Sequence, residues 1–454
     1  GIIRNLGIAA KSNKLLGRAD KRQCHPPTTV YLIETIMGHP ALAGDPAGNH
    51  KEAAKLPLRF ITATSLFDGH DAAINIMRRI MQSHGAEVIH LGHNRSVQEI
   101  VQAALQEDAD GSAVSSYQGG HMEFYKYLVD HLKANEAGAI RVFGGGGGVI
   151  LADEIRELEQ YGVARIYSAE DGQNMGLHGM IDEVFQLCKK SRLSGSPSPG
   201  SSFPGSDWRP LAKTLTEIES GQFSAAGRKT LTRKMLAMKS KTPVLGITGP
   251  GGAGKSSVTD ELIQRLRLEY DDAINIGIIA VDPSRRKTSG ALLGDRIRMN
   301  AIHAPNIFMR SMATRDASTE IPSALPDFIR AMMISGFDVI IVETPGIGQG
   351  DIGIVDLVDI SLYVMTSEFG AATQLEKVGM LDFADLVAIN KFDRKGSQDA
   401  LRDVQKQMQR NREAFTTAPS EMPVYGTIAA HMNDPGITTL YLELRKLLME
   451  KGLT

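Results

Sequence analysis

Residues 249–256 (Gly-Pro-Gly-Gly-Ala-Gly-Lys-Ser) constrain this chain more than any other segment. They match the pattern G-x-x-x-x-G-K-[S/T]. An apolar run, 244–248, precedes them, and in 256–268 Val258, Leu262 and Leu266 share one helical face. A strand that enters a glycine-rich turn and leaves as a helix belongs to a parallel α/β sheet. In such a turn successive backbone N–H groups wrap phosphate oxygens, and the helix N-terminus adds positive potential. The plain alternative is a glycine-rich turn with no ligand. On the phosphate reading, Gly252, Ala253, Gly254, Lys255, Ser256 and Ser257 line the site. Lys255 is then the catalytic cation at the β- and γ-phosphates, and the Ser256 hydroxyl ligates Mg2+.

The rest of the chain repeats the same alternation. Apolar runs at 58–64, 86–91, 111–115, 140–143 and 164–167 alternate with helical patterns at 72–83, 97–107, 122–133, 151–160 and 175–189. Further strands are expected at 244–248, 274–281, 338–342, 361–364, 386–389 and 424–427, and a closing amphipathic helix at 439–451. The expectation is α/β, with two doubly wound parallel-sheet domains. Residues 1–56 show no sustained period and read as a flexible leader, 57–190 as the first domain, and 191–207, rich in Ser, Pro and Gly, as a linker. The second domain runs over 208–454 and opens with polar helices at 208–240.

Two more features sharpen the second domain. Asn390-Lys391-Phe392-Asp393 follows a strand. A carboxylate there accepts hydrogen bonds from guanine N1–H and the 2-amino group, a donor pair that adenine lacks; a solvated turn is the alternative. Asp282 and Glu343 both end strands, where hard oxygens suit Mg2+; for Asp282 a turn cap is the alternative. Glu343 stands where many GTPases carry Asp in a D-x-x-G turn, and it is read as a catalytic position beside Lys255. Arg285, Arg286, Lys287, Arg296 and Arg298 follow Asp282, either as a phosphate- or partner-contacting switch or as a solvated basic face.

Taken together, VLGITGPGGAGKSS, VDPSRRKTSGALLGDRIRMN, VETPGIGQGD and NKFD resemble the G-protein chaperones of cobalamin-dependent acyl-CoA mutases, over about residues 207–454. The resemblance implies GTP/GDP as nucleotide and Mg2+ held by Ser256, Asp282, Asp295, Glu343 and Thr344. It adds a metal-site contact at the Val281 backbone, and Arg298 at the nucleotide.

In the first domain Asp68-Gly69-His70 follows the first strand. A His on such a loop can present one ring nitrogen to a metal while Asp68 fixes the other; a structural His capped by its neighbour is the bland alternative. Ser115-Ser116-Tyr117 ends the third strand, and a run of glycines from Gly144 and Gly145 to Gly148 follows the fourth. Glycine there lets a bulky ligand approach the backbone. These features resemble the cobalamin-binding domain of base-off/His-on mutases and methionine synthase, over about residues 57–190. The resemblance implies a flavodoxin-like fold, His70 as lower axial cobalt ligand, Asp68 as its partner, and contacts from Ser115, Gly144 and Gly145. Two positions depart from the pattern: Ala73 stands in place of the last Gly of D-x-H-x-x-G, and Gln118 replaces an apolar residue.

The order of the parts resembles the N-terminal portion of the fused isobutyryl-CoA mutases. That implies adenosylcobalamin as cofactor, a TIM-barrel mutase domain as partner, and a homo-oligomer. A free-standing mutase chaperone and a non-enzymatic cobalamin sensor with a GTPase timer are the rivals. Gly1 in place of Met reads as a fragment or processed chain. A net charge of −2 without a long basic run gives nucleic-acid binding no electrostatic support. No apolar stretch approaches the ~20 residues of a membrane span. Cys24 and Cys188 are the only cysteines, too few for a disulfide framework, which fits a reducing cytoplasm.

Overall fold

The computed structural model describes residues 56–194, 208–238, 241–284, 290–315, 321–346, 351–369, 375 and 378–454. The expected leader up to residue 55, most of the expected linker, and Arg285, Arg286 and Lys287 lie outside the described residues.

The first unit alternates strand and helix: β1 (Arg59–Ser65), α1 (Ala72–Ser83), β2 (Glu87–Arg95), α2 (Val97–Gln106), β3 (Gly111–Ser115), α3 (His121–Ala134), β4 (Arg141–Gly145), α4 (Ala152–Tyr161), β5 (Arg165–Tyr167) and α5 (Ala169–Ser194). Local chemistry sets several of these boundaries. Ser96 and Glu99 form a capping box that starts α2, each side chain accepting the other's backbone N–H. Gly176, with φ +68°, breaks the helical geometry inside α5. That helix runs on to Ser194, so the first residues of the expected linker are helical. All strands of this sheet pair in parallel, in the order β5-β4-β3-β1-β2. This is the flavodoxin-like order, whose ligand crevice lies between β1 and β3.

The second unit opens with α6 (Arg209–Glu219) and α7 (Ala225–Leu236). Leu211, Leu215 and Ile218 of α6 are buried against Phe308 and Phe328, and Trp208 stacks on Phe337 at a centroid distance of 4.9 Å. This opening segment is therefore a core element and more than a polar lead. There follow β6 (Val244–Thr248), α8 (Lys255–Glu269), β7 (Ile276–Asp282), β8 (Ala291–Leu293), β9 (Ile307–Ala313), α9 (Leu325–Met333), β10 (Val339–Glu343), β11 (Ile360–Met365), α10 (Met380–Phe383), β12 (Leu386–Asn390), α11 (Ser397–Asn411), β13 (Val424–Thr427) and α12 (Pro435–Lys451). The seven-stranded sheet is parallel in the order β13-β12-β11-β6-β10-β7-β9. The order of the strands, not their direction, switches at β6, the strand that feeds the glycine-rich turn.

Two strands were not expected. β9 carries Arg310 at its centre, 1% exposed. A buried Arg needs paired carboxylates, and these come from remote elements: Glu219 on α6 at 2.9 Å and Glu107, just past α2, at 4.0 Å. The other strand, β8, leaves its own sheet. It pairs in parallel with β2 of the first unit, Glu87 against Ala291 and Ile89 against Leu293. Ala291, Leu293 and Ala313 thereby join the core of the first sheet.

Buried ions continue that junction. Arg59 on β1 meets Glu87 at 2.6 Å, Glu107 at 3.3 Å and Glu219 at 3.2 Å. Arg315 meets Glu87 at 2.8 Å and Glu219 at 3.0 Å, and Arg296 meets Glu107 at 2.8 Å. Removing one member of such a set would leave the others charged and unpaired, a cost that disfavours opening the junction.

Candidate functional site

β6, β7 and β10 lie near one another, so their carboxyl-end residues converge. The turn after β6 takes conformations that favour glycine, with φ +142° at Gly249, +78° at Gly252 and +92° at Gly254. A Cβ on Gly254 would sit 2.4 Å from the Asn390 amide nitrogen, so only glycine fits. Lys255, mostly buried, donates from Nζ to the Gly249 carbonyl at 3.0 Å. Gly346 packs against this turn; a Cβ on it would lie 2.3 Å from Gly251 N. The loop after β10 thus touches the glycine-rich loop after β6.

The hard-oxygen set assembles beside Ser256. Its hydroxyl lies 2.8 Å from Glu343 Oε1 and 3.2 Å from Asp295 Oδ1, within reach to donate its one proton to either. Glu343 Oε2 accepts from Thr259 at 3.0 Å, and Thr344 bonds Thr248 at 2.8 Å. Asp282 ends β7, next to Val281, and accepts from the Gly294 N–H at 3.2 Å. Burial and the neighbouring charge of Asp295 push the Glu343 carboxyl up to about 7. Burial, then Asp295 and Glu343, raise Asp282 well above the usual carboxylate range. Buried carboxylates that repel one another are a donor set that a divalent cation neutralises. Among the described residues no three His, Cys, Asp or Glu side chains close into a cage on their own. Mg2+ keeps waters and phosphate oxygens in its shell and takes few carboxylates. Arg298, with 66% of its side chain exposed, stands 3.6 Å from Asp295.

At the end of β12 the four residues divide their work. Asn390 is buried: its amide donates to the Ala253 carbonyl at 2.9 Å, and its oxygen accepts from Ala429 N–H at 3.1 Å. Lys391, at φ +57°, donates to the Gly252 carbonyl at 2.7 Å. Phe392 packs over Gly426, where a Cβ would meet its ring at 2.5 Å. Asp393 is exposed. Asn390 and Lys391 therefore brace the glycine-rich turn, and Asp393 is the carboxylate free to meet a base.

In the first unit the carboxyl ends of β1, β3 and β4 form the second site. Asp68, buried, accepts from His70 Nδ1 at 2.8 Å, from His70 N–H at 2.9 Å and from Tyr117 N–H at 2.5 Å. Burial opposes its charge, but the Tyr117 and His70 donors prevail and hold its carboxyl below the usual range. An ionised Asp68 fixes the Nδ1–H tautomer and leaves Nε2 as the lone-pair nitrogen of a ring 77% exposed. Two other histidines differ: His121 Nε2 is taken by Glu154 at 3.1 Å, and His93 lies out on the end of β2.

Beside this loop a mainly apolar cavity of about 320 Å3 opens among Ala73, Ile74, Ser115, Tyr117, Gly144–Gly147 and Leu177. Its glycines are obligatory in places. A Cβ on Gly144 would lie 2.4 Å from Ile166, and one on Gly146 would lie 2.1 Å from the Ser116 carbonyl. Ser115 Oγ bonds Thr64 at 3.3 Å, which steadies the strand ends. Ala73 lines the cavity and leaves it open, and Gln118 accepts the Gly120 N–H at 2.5 Å, closing the turn before α3. An exposed imidazole nitrogen beside an apolar slot fits a cobalt ion with a heteroaromatic tail.

The expected residues thus fall into two groups, one at each sheet's carboxyl edge. Sequence reasoning passed over Thr248, Thr259 and Asn94. The first two are plain strand and helix threonines in sequence, and only their bonds to Thr344 and Glu343 distinguish them. Among the described residues no helix is long and apolar enough to cross a membrane.

Known proteins share both halves. Residues 58–172 match the B12 binding domain family, and residues 211–448 match the family described as methylmalonyl Co-A mutase-associated GTPase MeaB. The chain is 61% identical over 397 residues to the fused isobutyryl-CoA mutase of Cupriavidus metallidurans, covering 87% of this chain and 36% of that protein. Identity to the fused isobutyryl-CoA mutase of Geobacillus kaustophilus is 54% over 410 residues, 89% of this chain and 38% of that one. A putative GTPase of Pyrococcus horikoshii is 34% identical over 276 residues, 60% of this chain and 80% of that one. The chain spans between 36% and 38% of the length of these two fused mutases. With a phosphate-loop site on one sheet and a B12-binding domain on the other, the chain belongs to the MeaB family of mutase-associated GTPases.

Proposed function

We propose that this chain is the N-terminal portion of a fused adenosylcobalamin-dependent isobutyryl-CoA mutase, in which GTP binding and hydrolysis gate cofactor loading. The observation that carries the reading is the junction of the two sites' sheets, made by a strand that runs directly into Asp295. In the proposed mechanism, backbone N–H groups of residues 252–256 bind the phosphates and Lys255 places its ammonium at the β- and γ-oxygens. Ser256, Asp282, Asp295, Glu343 and Thr344 would hold Mg2+, with the Val281 carbonyl nearby and Arg298 at the nucleotide. When bound, Mg2+ neutralises the charge that develops on the transferred phosphoryl group. Asp393 selects guanine. On the other sheet, His70 presents Nε2, Asp68 holds its ring, and the Ser115 and Gly144–Gly147 backbone receives the tail. When bound, adenosylcobalamin supplies the radical for carbon-skeleton rearrangement.

In the complete protein the partner would be an acyl-CoA-binding barrel over the His70 face, with isobutyryl-CoA and n-butyryl-CoA as substrates. Exposed Phe67, Val149 and Leu151 at that carboxyl edge support such a cover. A homo-oligomer in the cytoplasm completes the proposal.

The test is purification of the chain with adenosylcobalamin and GTP. A cobalamin spectrum with an imidazole nitrogen on cobalt, together with GTP turnover, is the expected result. Lys255→Ala should lower turnover by roughly 10²–10³ and leave cobalamin binding intact. A protein that hydrolyses GTP but takes up no cobalamin would sink the reading.

A further inference from the structure

The two proposed sites are joined by more than a buried junction. Asp295 opens a short 3-10 turn, Asp295–Arg298, immediately after β8. Gly294, just before it, donates its N–H to Asp282. β8 and this turn are therefore tied to the metal-type carboxylates at one end.

Three contacts leave the turn toward the B12 domain. β8 pairs with β2 along Glu87–Ile89. Arg296 is 4% exposed and donates to Glu107 Oε1 at 2.8 Å and to Gln106 Oε1 at 2.9 Å, pinning the turn to the end of α2. Ile297 seats its side chain against Gly92, where a Cβ would lie 2.8 Å from Ile297 Cδ1. Gly92 has φ +87° and marks the register shift at which β2 slips relative to β1, Thr62 facing His90 but Ala63 facing Gly92. Such a bulge re-aims the residues beyond it.

Those residues are the support of the His70 loop. Asn94 Oδ1 accepts the Phe67 N–H at 2.7 Å, and Asn94 N–H donates to the Asp68 carbonyl at 3.3 Å. Phe67 and Asn94 both hold positive φ, +63° and +56°, which Asn takes readily but Phe keeps only where the surroundings enforce it. Asp68 in turn holds the His70 ring.

We propose that Ile297 is a positioning residue which, through Gly92 and the end of β2, couples the metal–nucleotide site at Asp295 to the Asp68–His70 loop. The affinity of the chain for cobalamin then depends on which nucleotide it holds. With Arg296 fixed, a shift of Asp295 cannot be absorbed by sliding of the turn; it swings Ile297 against a bulge that has no side chain of its own. Ile297 is 39% exposed, so it is its inner face alone, resting on Gly92, that passes displacement on. The proposal rests on the assignments of His70 and Asp295 made under the proposed function.

The experiment titrates adenosylcobalamin into the 454-residue chain with Mg2+ and GDP, and again with Mg2+ and a non-hydrolysable GTP analogue. The ratio of the two dissociation constants is the coupling, and it must reappear as the ratio of nucleotide affinities with and without cobalamin, because linkage is reciprocal. The wild-type ratio is expected to differ from one by about fivefold or more. Ile297→Ala should bring it to within about twofold of one, with each ligand's affinity in the absence of the other nearly unchanged. Ile297→Val, which loses the Cδ1 nearest Gly92 but keeps a γ carbon against it, should give a ratio between those of the wild type and Ile297→Ala. A coupling unaltered in Ile297→Ala overturns the inference and leaves the proposed function standing, whereas a wild-type ratio of one with both ligands bound overturns the inference together with the nucleotide gating of the proposed function. Failure of the wild type to bind cobalamin or nucleotide removes both.

Discussion

The Asp68–His70 pair assigns different work to neighbouring side chains. On the proposed assignment the ring would supply the lone pair, while the carboxylate holds the ring and draws its own charge stabilisation from the Tyr117 N–H. Replacing His70 with Ala should therefore remove the nitrogen coupling seen in electron paramagnetic resonance of the reduced cobalamin complex and weaken binding severely. Asp68→Asn should weaken binding by roughly 10–100-fold and keep the coupling. An equal loss in the two variants would contradict this division. Asp393 is the matching case on the nucleotide side. It is exposed, whereas Asn390 is consumed by the Ala253 carbonyl and the Ala429 N–H. Asp393→Asn should lower GTP affinity by up to about 10⁴ and raise affinity for xanthosine triphosphate, as competition binding would show. Asn390→Ala should instead loosen the glycine-rich turn and weaken all nucleotides alike.

At the scale of elements, the loop after β4 shows how glycines of one run differ. Gly146 leaves no room for a methyl group, with the Ser116 carbonyl 2.1 Å from where it would stand, whereas Gly148 has nothing within 4 Å. Gly146→Ala should cost about 1–3 kcal/mol of stability by overpacking and distort the cavity, while Gly148→Ala should be silent; thermal melts with and without cobalamin would separate them. Most strands and helices were legible in sequence because their apolar periodicity is intact: α1, β3, β6 and β13 fall on the expected boundaries. β9 was not legible, since Arg310 interrupts its apolar run and is neutralised only by Glu219 and Glu107 from elsewhere in the chain. β8 was hidden for a different reason. Its three residues, Ala-Leu-Leu, carry no period, and their partner strand lies in the other sheet. The site followed the same rule. Lys255, Ser256 and Asn390–Asp393 could be read from motif spacing, and Asp295, Thr344, Val281 and Arg298 only from a resemblance, whereas Thr259, Thr248 and Asn94 join the site region only through contacts between distant segments.

For the whole molecule, the buried ions around Arg59 set how the two halves respond to acid. Burial alone would raise the Glu219 carboxyl, but Arg59, then Arg315 and Arg310, outweigh it and bring it down from 4.5 to about 2. A carboxyl depressed in the folded state adds stability above its unfolded value, and that stability drains away as pH falls through the folded one. Denaturant melts should therefore show stability declining between about 4.5 and about 2. Glu219→Gln should flatten that decline and, by leaving Arg59 and Arg310 undercompensated, cost roughly 3–5 kcal/mol at neutral pH. The strand shared between the sheets has a consequence of another kind, in the order of synthesis. β2 leaves the ribosome about 200 residues before Ala291, Leu292 and Leu293, the residues that close its open edge. At ordinary elongation rates that interval is about 10–40 s. For that time the B12 domain carries an unpaired, apolar strand edge of the type that recruits other chains. Slow codons between the two halves would lengthen the exposure and favour aggregation, and a nascent-chain chaperone would find its target at β2.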